Sequence, residues 1–72
     1  MTYDYTKLKH KMLDKKLTQE ATGALIGIKA ARFSMKMNSQ MDFKQSEILA
    51  LCKLLGIPST QVNSYFFTLE VQ

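Results

Sequence analysis

The chain has 72 residues, 46% of them hydrophobic and 22% charged, with a formal net charge of +4. This balance is ordinary for a globular chain and excludes disorder throughout, and the length allows one domain with a small core. No stretch approaches the roughly 20 apolar residues that span a bilayer, and the N-terminus lacks the apolar part of a secretory signal, so we expect a cytoplasmic protein.

The positive charge is concentrated in the first part of the chain. Residues 1–44 carry a net +5, whereas residues 45–72 carry −1. The basic part can approach phosphates, and it can equally be a solvated face. The single cysteine, Cys52, cannot form an internal disulfide, and its place in the apolar run 48–55 predicts a buried, unreactive thiol.

The predicted elements begin with a helix over residues 5–16 that Asp4 caps. Tyr5, Leu8 and Met12 follow the i, i+3, i+7 spacing of a buried stripe, and the lysines of this segment fall off that stripe. Thr18 is the predicted N-cap of a second helix over residues 19–26.

Gly27 comes directly after the second helix, where a left-handed backbone conformation permits a sharp turn. Ile28 is then buried, and a third helix begins at Lys29 or Ala30 and ends at Met37. Residues 38–42 are predicted to form a polar loop.

A fourth helix covers residues 44–55 and ends at Gly56, and Ser59 caps a last short helix that reaches Phe66. The fourth helix places one apolar face toward the core: Ile48, Leu51, Cys52 and Leu55. The tail, residues 67–72, alternates polar and apolar and is either an edge strand or a packed or frayed end. The prediction is a compact all-α domain of four to five helices.

The segment TQEATGALIGIKAARFSMKMN, residues 18–38, has the spacing of a helix-turn-helix motif. The motif needs a small residue where the two helices cross, a glycine at the turn, an apolar residue after it, and apolar anchors in the second helix. These roles are filled in order by Gly23, Gly27, Ile28, Phe33 and Met37. The segment resembles the helix-turn-helix of phage Cro and repressor proteins, although Thr22 stands where a large apolar residue is usual and Gly23 where alanine is commoner.

The resemblance extends over nearly the whole chain. MTYDYTKLK, FKQSEILALCKLLGI and SYFFTLEVQ are similar to small Cro-like and modulator-of-repression proteins of Gram-positive phages and prophages. The resemblance implies a lambda-repressor-like fold and a transcriptional regulator of a lysis–lysogeny genetic switch in the cytoplasm of a bacterial host. Some such proteins bind operator DNA, and others are antirepressors that bind the phage repressor protein, so two mechanisms remain open.

The outer face of the third helix is the candidate binding surface. At 100° per residue, Phe33 and Met37 point one way, and Ala31, Arg32 and Met35 point the other. Carried over from phage repressors, the resemblance implies that Ala30, Ala31 and Met35 face bases with Ser34 nearby, and that Gln19 and Asn38 hold phosphates. Lys29 and Lys36 lie at one margin of this face. The residues predicted to bind DNA or a partner are therefore Gln19, Lys29, Ala30, Ala31, Arg32, Ser34, Met35, Lys36 and Asn38.

The chemistry of this surface leaves its partner open. Arg32 could bind guanine and Asn38 adenine or a phosphate, whereas alanine and methionine contact a thymine methyl without any hydrogen-bonding code. An Ala-Ala-Met strip rimmed by cations also suits a protein partner with an acidic or apolar patch. The alanines can instead serve helix propensity alone, with Met35 packed against a neighbouring helix.

No constellation of catalytic residues is present in the sequence. His10 is the single histidine and lies among lysines, no cluster has metal-ligand spacing, and the glycines form no phosphate loop, so we expect no enzyme, cofactor or metal. The aromatic run 65–67 either closes the core or provides a homodimer contact that Leu69 and Val71 extend.

Overall fold

Five α-helices and one short 3₁₀ helix form the regular structure of residues 2–70, the part of the chain that this computed structural model describes. The prediction of an all-α fold is confirmed. The first four helices begin and end within two residues of their predicted bounds. The elements are α1 (Thr6–Asp14), α2 (Gln19–Leu25), α3 (Ala30–Met37), α4 (Gln45–Leu55), the 3₁₀ helix (Ser59–Gln61) and α5 (Val62–Phe66).

The helix caps agree with the sequence at α2 and differ elsewhere. Thr18 has an extended backbone, and its hydroxyl accepts a hydrogen bond of 3.0 Å from the Ala21 N–H, as predicted. The Asp4 carboxylate accepts from the Thr6 N–H at 2.9 Å, so Asp4 acts from one residue before the N-cap position of α1. The prediction that Ser59 caps the last helix is wrong, because the chain enters that helix through the 3₁₀ turn.

The core is built from one face of each helix. Leu8 and Met12 of α1 and Tyr5 at its N-cap are buried, which confirms the predicted stripe. In α4 only Leu51 and Leu55 are fully buried, because Ile48 and Cys52 lie at the edge of the core. Partial burial raises the pKa of the Cys52 thiol, so the thiol stays protonated and weakly nucleophilic at neutral pH.

Phe43 joins three helices from the loop before α4. Its ring meets the rings of Tyr5, Phe33 and Phe66 edge to face, with centroid distances of 5.4, 6.0 and 5.7 Å. This geometry is the favourable one for aromatic pairs. The loop 38–42 is therefore anchored at its end to the core formed by α1, α3 and α5.

The turn between α2 and α3 depends on two glycines. Gly27 has a φ of +81°, which a residue with a side chain adopts only at a steric cost. Gly23 is buried at the helix crossing, where an added Cβ would lie 3.0 Å from the Ile28 carbonyl oxygen and 3.2 Å from Phe33. Thr22 is fully buried beside it, and its hydroxyl donates to the Thr18 carbonyl at 2.7 Å, so a polar residue is accommodated there.

The two ends of the described chain pair with each other. Segment 2–4 runs antiparallel to segment 68–70, with a β-bridge between Tyr3 and Leu69 and backbone hydrogen bonds of 2.7 and 3.0 Å on either side. Leu69 is therefore extended, which is one of the two predicted states of the tail. Val71, the other residue of the predicted edge, lies outside the described residues.

The aromatic run 65–67 is divided between core and surface. Tyr65 and Phe66 are buried, so they close the core, whereas Phe67 is 48% exposed and lies 6.2 Å from the Tyr3 ring. The homodimer contact stays a prediction. None of the helices in residues 2–70 has the length and apolar character needed to cross a membrane.

Gly23→Ala should destabilise the domain, although alanine favours helices. The propensity gain of up to about 1 kcal/mol is smaller than the cost of overpacking, about 1–3 kcal/mol, because a backbone carbonyl and a buried ring cannot both move away. Urea unfolding followed by circular dichroism should give a lower free energy of unfolding. A variant more stable than the native chain would contradict the close helix crossing.

Candidate functional site

The third helix has a buried face and an exposed face. Phe33 is 0% and Met37 3% exposed, and both pack in the core. The opposite face is open, and Met35 keeps 42% of its surface exposed. Most of the predicted binding set is exposed, namely Lys29, Ala30, Ala31, Arg32, Ser34, Met35 and Asn38, with Gln19 exposed at the start of α2. Of these, Lys29, Ala31, Arg32 and Met35 lie along one depression, whereas Ala30 lines another.

Lys36 is not part of that exposed surface. Its side chain is 2% exposed, and its Nζ donates to the Glu47 carboxylate of α4 at 2.5 Å. The prediction that Lys36 lies at the accessible margin is wrong. At 100° per residue, Lys36 is only about 60° from Phe33 around the helix, so it lies beside the buried face rather than opposite it.

Glu47 connects α3 with the beginning of α4. Besides the Lys36 ammonium, its carboxylate accepts a hydrogen bond of 2.8 Å from the Lys44 N–H, as the acidic residue of a capping box does. Burial alone would raise the pKa of Glu47, but the hydrogen bonds from Lys36 and Lys44 and their positive charges outweigh it, and the pKa lies below its ordinary value. Glu47 is therefore ionised at neutral pH.

A shallow groove of about 590 Å³ runs between α3 and the beginning of α4. Lys44 and Glu47 are the two residues of this groove that sequence analysis did not assign to the site. A glutamate in the first turn before an apolar run was the local signal for Glu47, whereas lysine is not a usual N-cap residue and gave no signal for Lys44. The side chains along the groove are Lys29, Ala31, Arg32, Met35, Lys44 and Glu47.

The electrostatics of the groove are positive. The Lys36–Glu47 pair is the one ion pair among residues 2–70, so Lys29, Arg32 and Lys44 keep unneutralised charges.

The lysines of α1 and its C-terminal end lie on different parts of the surface. Lys7 donates to the Ser64 hydroxyl at 3.1 Å and lies 4.7 Å from the centre of the Tyr65 ring, beside α5. Lys15 lies near Gly56, at the end of α4. Lys9 is the α1 lysine that lines a depression with Thr18 and Gln19, next to the start of the helix-turn-helix.

Residues 1–69 match the model of a family described as a protein of unknown function, DUF739. The chain belongs to the DUF739 family. This match includes α3, the groove and most of the paired ends, so the candidate site lies within the region that defines the family. No curated protein matches the DUF739 chain.

Residues 2–70 contain no group of three or more His, Cys, Asp or Glu side chains that could hold a metal ion. His10 is exposed on α1. That the protein is not an enzyme stays a prediction.

Glu47→Gln should destabilise the domain strongly, because it leaves the buried Lys36 ammonium without a carboxylate. We expect the free energy of unfolding to fall by about 3 kcal/mol. This is the low end of the range for a broken buried ion pair, because the Glu47 side chain keeps some contact with solvent. That is a large part of the total stability of so small a domain. Urea unfolding gives the measurement.

The double variant Lys36→Met with Glu47→Gln is the matched control. The double variant removes both charges and keeps an acceptor for the Lys44 N–H. It should therefore regain most of the stability that Glu47→Gln alone loses. Equal stability of Glu47→Gln and the native chain would contradict a structural role for the pair.

Proposed function

We propose that this protein is a phage-type helix-turn-helix regulator of a lysis–lysogeny switch, which binds operator DNA with α3 in the major groove. One observation carries the proposal. Gly23, Gly27 and Phe33 fix α3 across α2 at close range, and the opposite face of α3 remains free along its whole length. A second helix held in this way is the element that helix-turn-helix proteins insert into the groove.

The exposed cations provide the attachment to the DNA backbone. Lys29 and Lys44 lie along the groove beside α3, and Gln19 and Lys9 lie near the start of α2. Phosphate contacts from such side chains position a protein on the duplex without selecting a sequence. Lys36 contributes nothing here, because its charge is satisfied by Glu47.

Arg32 is the side chain on this surface that is best suited to form hydrogen bonds with base edges. It is exposed, lines the groove and forms no ion pair among residues 2–70. A guanidinium can donate two hydrogen bonds to guanine, the commonest specific contact in the major groove. Asn38 is partly engaged, since its amide donates to the Ser34 hydroxyl at 3.4 Å.

Arg32→Ala and Lys29→Ala should weaken DNA binding in different ways. Arg32→Ala should lose about 1–3 kcal/mol on operator DNA and little on unrelated DNA, because a base contact disappears. Lys29→Ala should weaken binding to both DNAs and reduce the slope of log K against log salt by about one, because one phosphate contact disappears. Anisotropy titrations at several salt concentrations, with DNA from the switch region of the phage, measure both effects.

Lys53→Ala is the control for these titrations, because Lys53 is an exposed cation on α4 outside the groove. It should leave the affinity for operator DNA nearly unchanged. If the native chain shows no preference for operator DNA over unrelated DNA, operator binding is not its function.

A second candidate function is antirepression, and the exposed Met35 beside the groove favours it. Met35 and Ala31 offer an apolar strip next to Lys29, Arg32 and Lys44. Methionine packs adaptably and small residues permit close approach, so this surface also suits the DNA-binding domain of the cognate repressor. Occupation of that domain would inactivate the repressor without any DNA contact by this chain.

Met35→Glu should abolish a complex with the repressor, because it replaces an apolar contact with a carboxylate that must lose its water in the interface. Gel filtration of the purified chain with the repressor's DNA-binding domain tests this, and Leu49→Glu, on the exposed part of α4, is the control. A band-shift with operator DNA, with and without the repressor, separates the two candidate functions. Antirepression is excluded if the chain binds operator DNA and leaves the repressor–operator complex intact.

A further inference from the structure

The part of α3 that would face bases is largely apolar. Ala30 and Ala31 form its first turn, Met35 follows one turn later, and all three side chains are exposed. The N-terminal residues of a recognition helix are the ones that reach base edges. Hydrogen-bonding groups are therefore scarce where direct sequence readout takes place.

The neighbouring polar groups do not change this chemistry. Glu47 could accept from the amino group of cytosine, but one of its carboxylate oxygens is held by Lys36 and the Lys44 N–H, and its side chain is only 14% exposed. Ser34 and Asn38 contact each other at the far edge of the face. Arg32 is then the one guanidinium beside the apolar strip, and Lys29 and Lys44 are the ammonium groups along the same groove.

We infer that this surface recognises thymine methyl groups next to a guanine, and this inference rests on the proposed binding of operator DNA. Thymine is the base that displays a methyl group in the major groove, and alanine and other apolar side chains contact it favourably. Ala31 and Met35 are one helical turn apart, about 6 Å along α3, so a helix in the major groove brings both side chains to neighbouring base pairs. Ala31 and Met35 contact thymines of neighbouring base pairs, and Arg32 binds a guanine beside them.

The probe for this inference is DNA selected by the protein itself. Repeated selection from a randomised duplex library with the full chain should enrich sites that contain thymines beside a guanine. Each thymine of the selected duplex is then replaced by deoxyuridine, which removes only the methyl group. Binding should weaken about fourfold for each contacted methyl, the equivalent of about 0.8 kcal/mol for a buried group of that size.

Two variants assign the methyl contact to the protein. Met35→Gln keeps the length of the side chain but removes its apolar end, so it should lose the dependence on one thymine methyl while retaining the guanine preference. Leu49→Gln makes the same kind of change at an exposed position of α4 outside the groove and should keep the full dependence.

The outcomes separate this inference from the proposed function. Selected DNA that binds equally well with thymine or deoxyuridine overturns the methyl readout and leaves operator binding standing. An equal loss for native chain and Met35→Gln at every thymine overturns the assignment to Met35. If no sequence is enriched and no duplex is bound, both the inference and the proposed operator binding fail.

Discussion

The buried contact between the Lys36 ammonium and the Glu47 carboxylate fixes the rotation of α3 about its axis, and thereby which of its side chains are exposed. Removal of an ammonium group from water costs several kcal/mol. The attraction of a single carboxylate offsets that cost only when the geometry of the pair is good. The pair therefore adds little net stability. Rotation of α3 about its axis would leave a charge unpaired in the interior, so the pair selects one orientation of the exposed face.

The remaining contacts of α3 also hold the helix in one position. Gly23 permits the close crossing with α2, and Phe33 fills the space that this crossing leaves. On its other side, Phe33 meets Phe43, whose ring also contacts α1 and α5. The candidate binding surface thus lies on a helix that is fixed from three directions, so its backbone has little entropy left to lose when a ligand binds.

Local patterns predicted the helices, the Thr18 cap and the turn, because each depends on neighbours a few residues apart. The burial of Lys36 was not predictable in this way. A lysine is normally exposed, and its partner Glu47 lies on another helix. Phe43 belongs to no periodic segment, so its central place in the core had no sequence signal. The contact of Tyr3 with Leu69 joins opposite ends of the chain, beyond the reach of any local pattern.

That pairing of the ends makes the backbone nearly a closed ring. Segments 2–4 and 68–70 lie side by side, and the Tyr3 N–H also donates to the Ser39 hydroxyl in the loop before α4. The helices are otherwise held by contacts that do not depend on where the chain begins. Segments 2–4 and 68–70 are therefore close enough to be joined by a short linker, which is the arrangement in which circular permutation is tolerated.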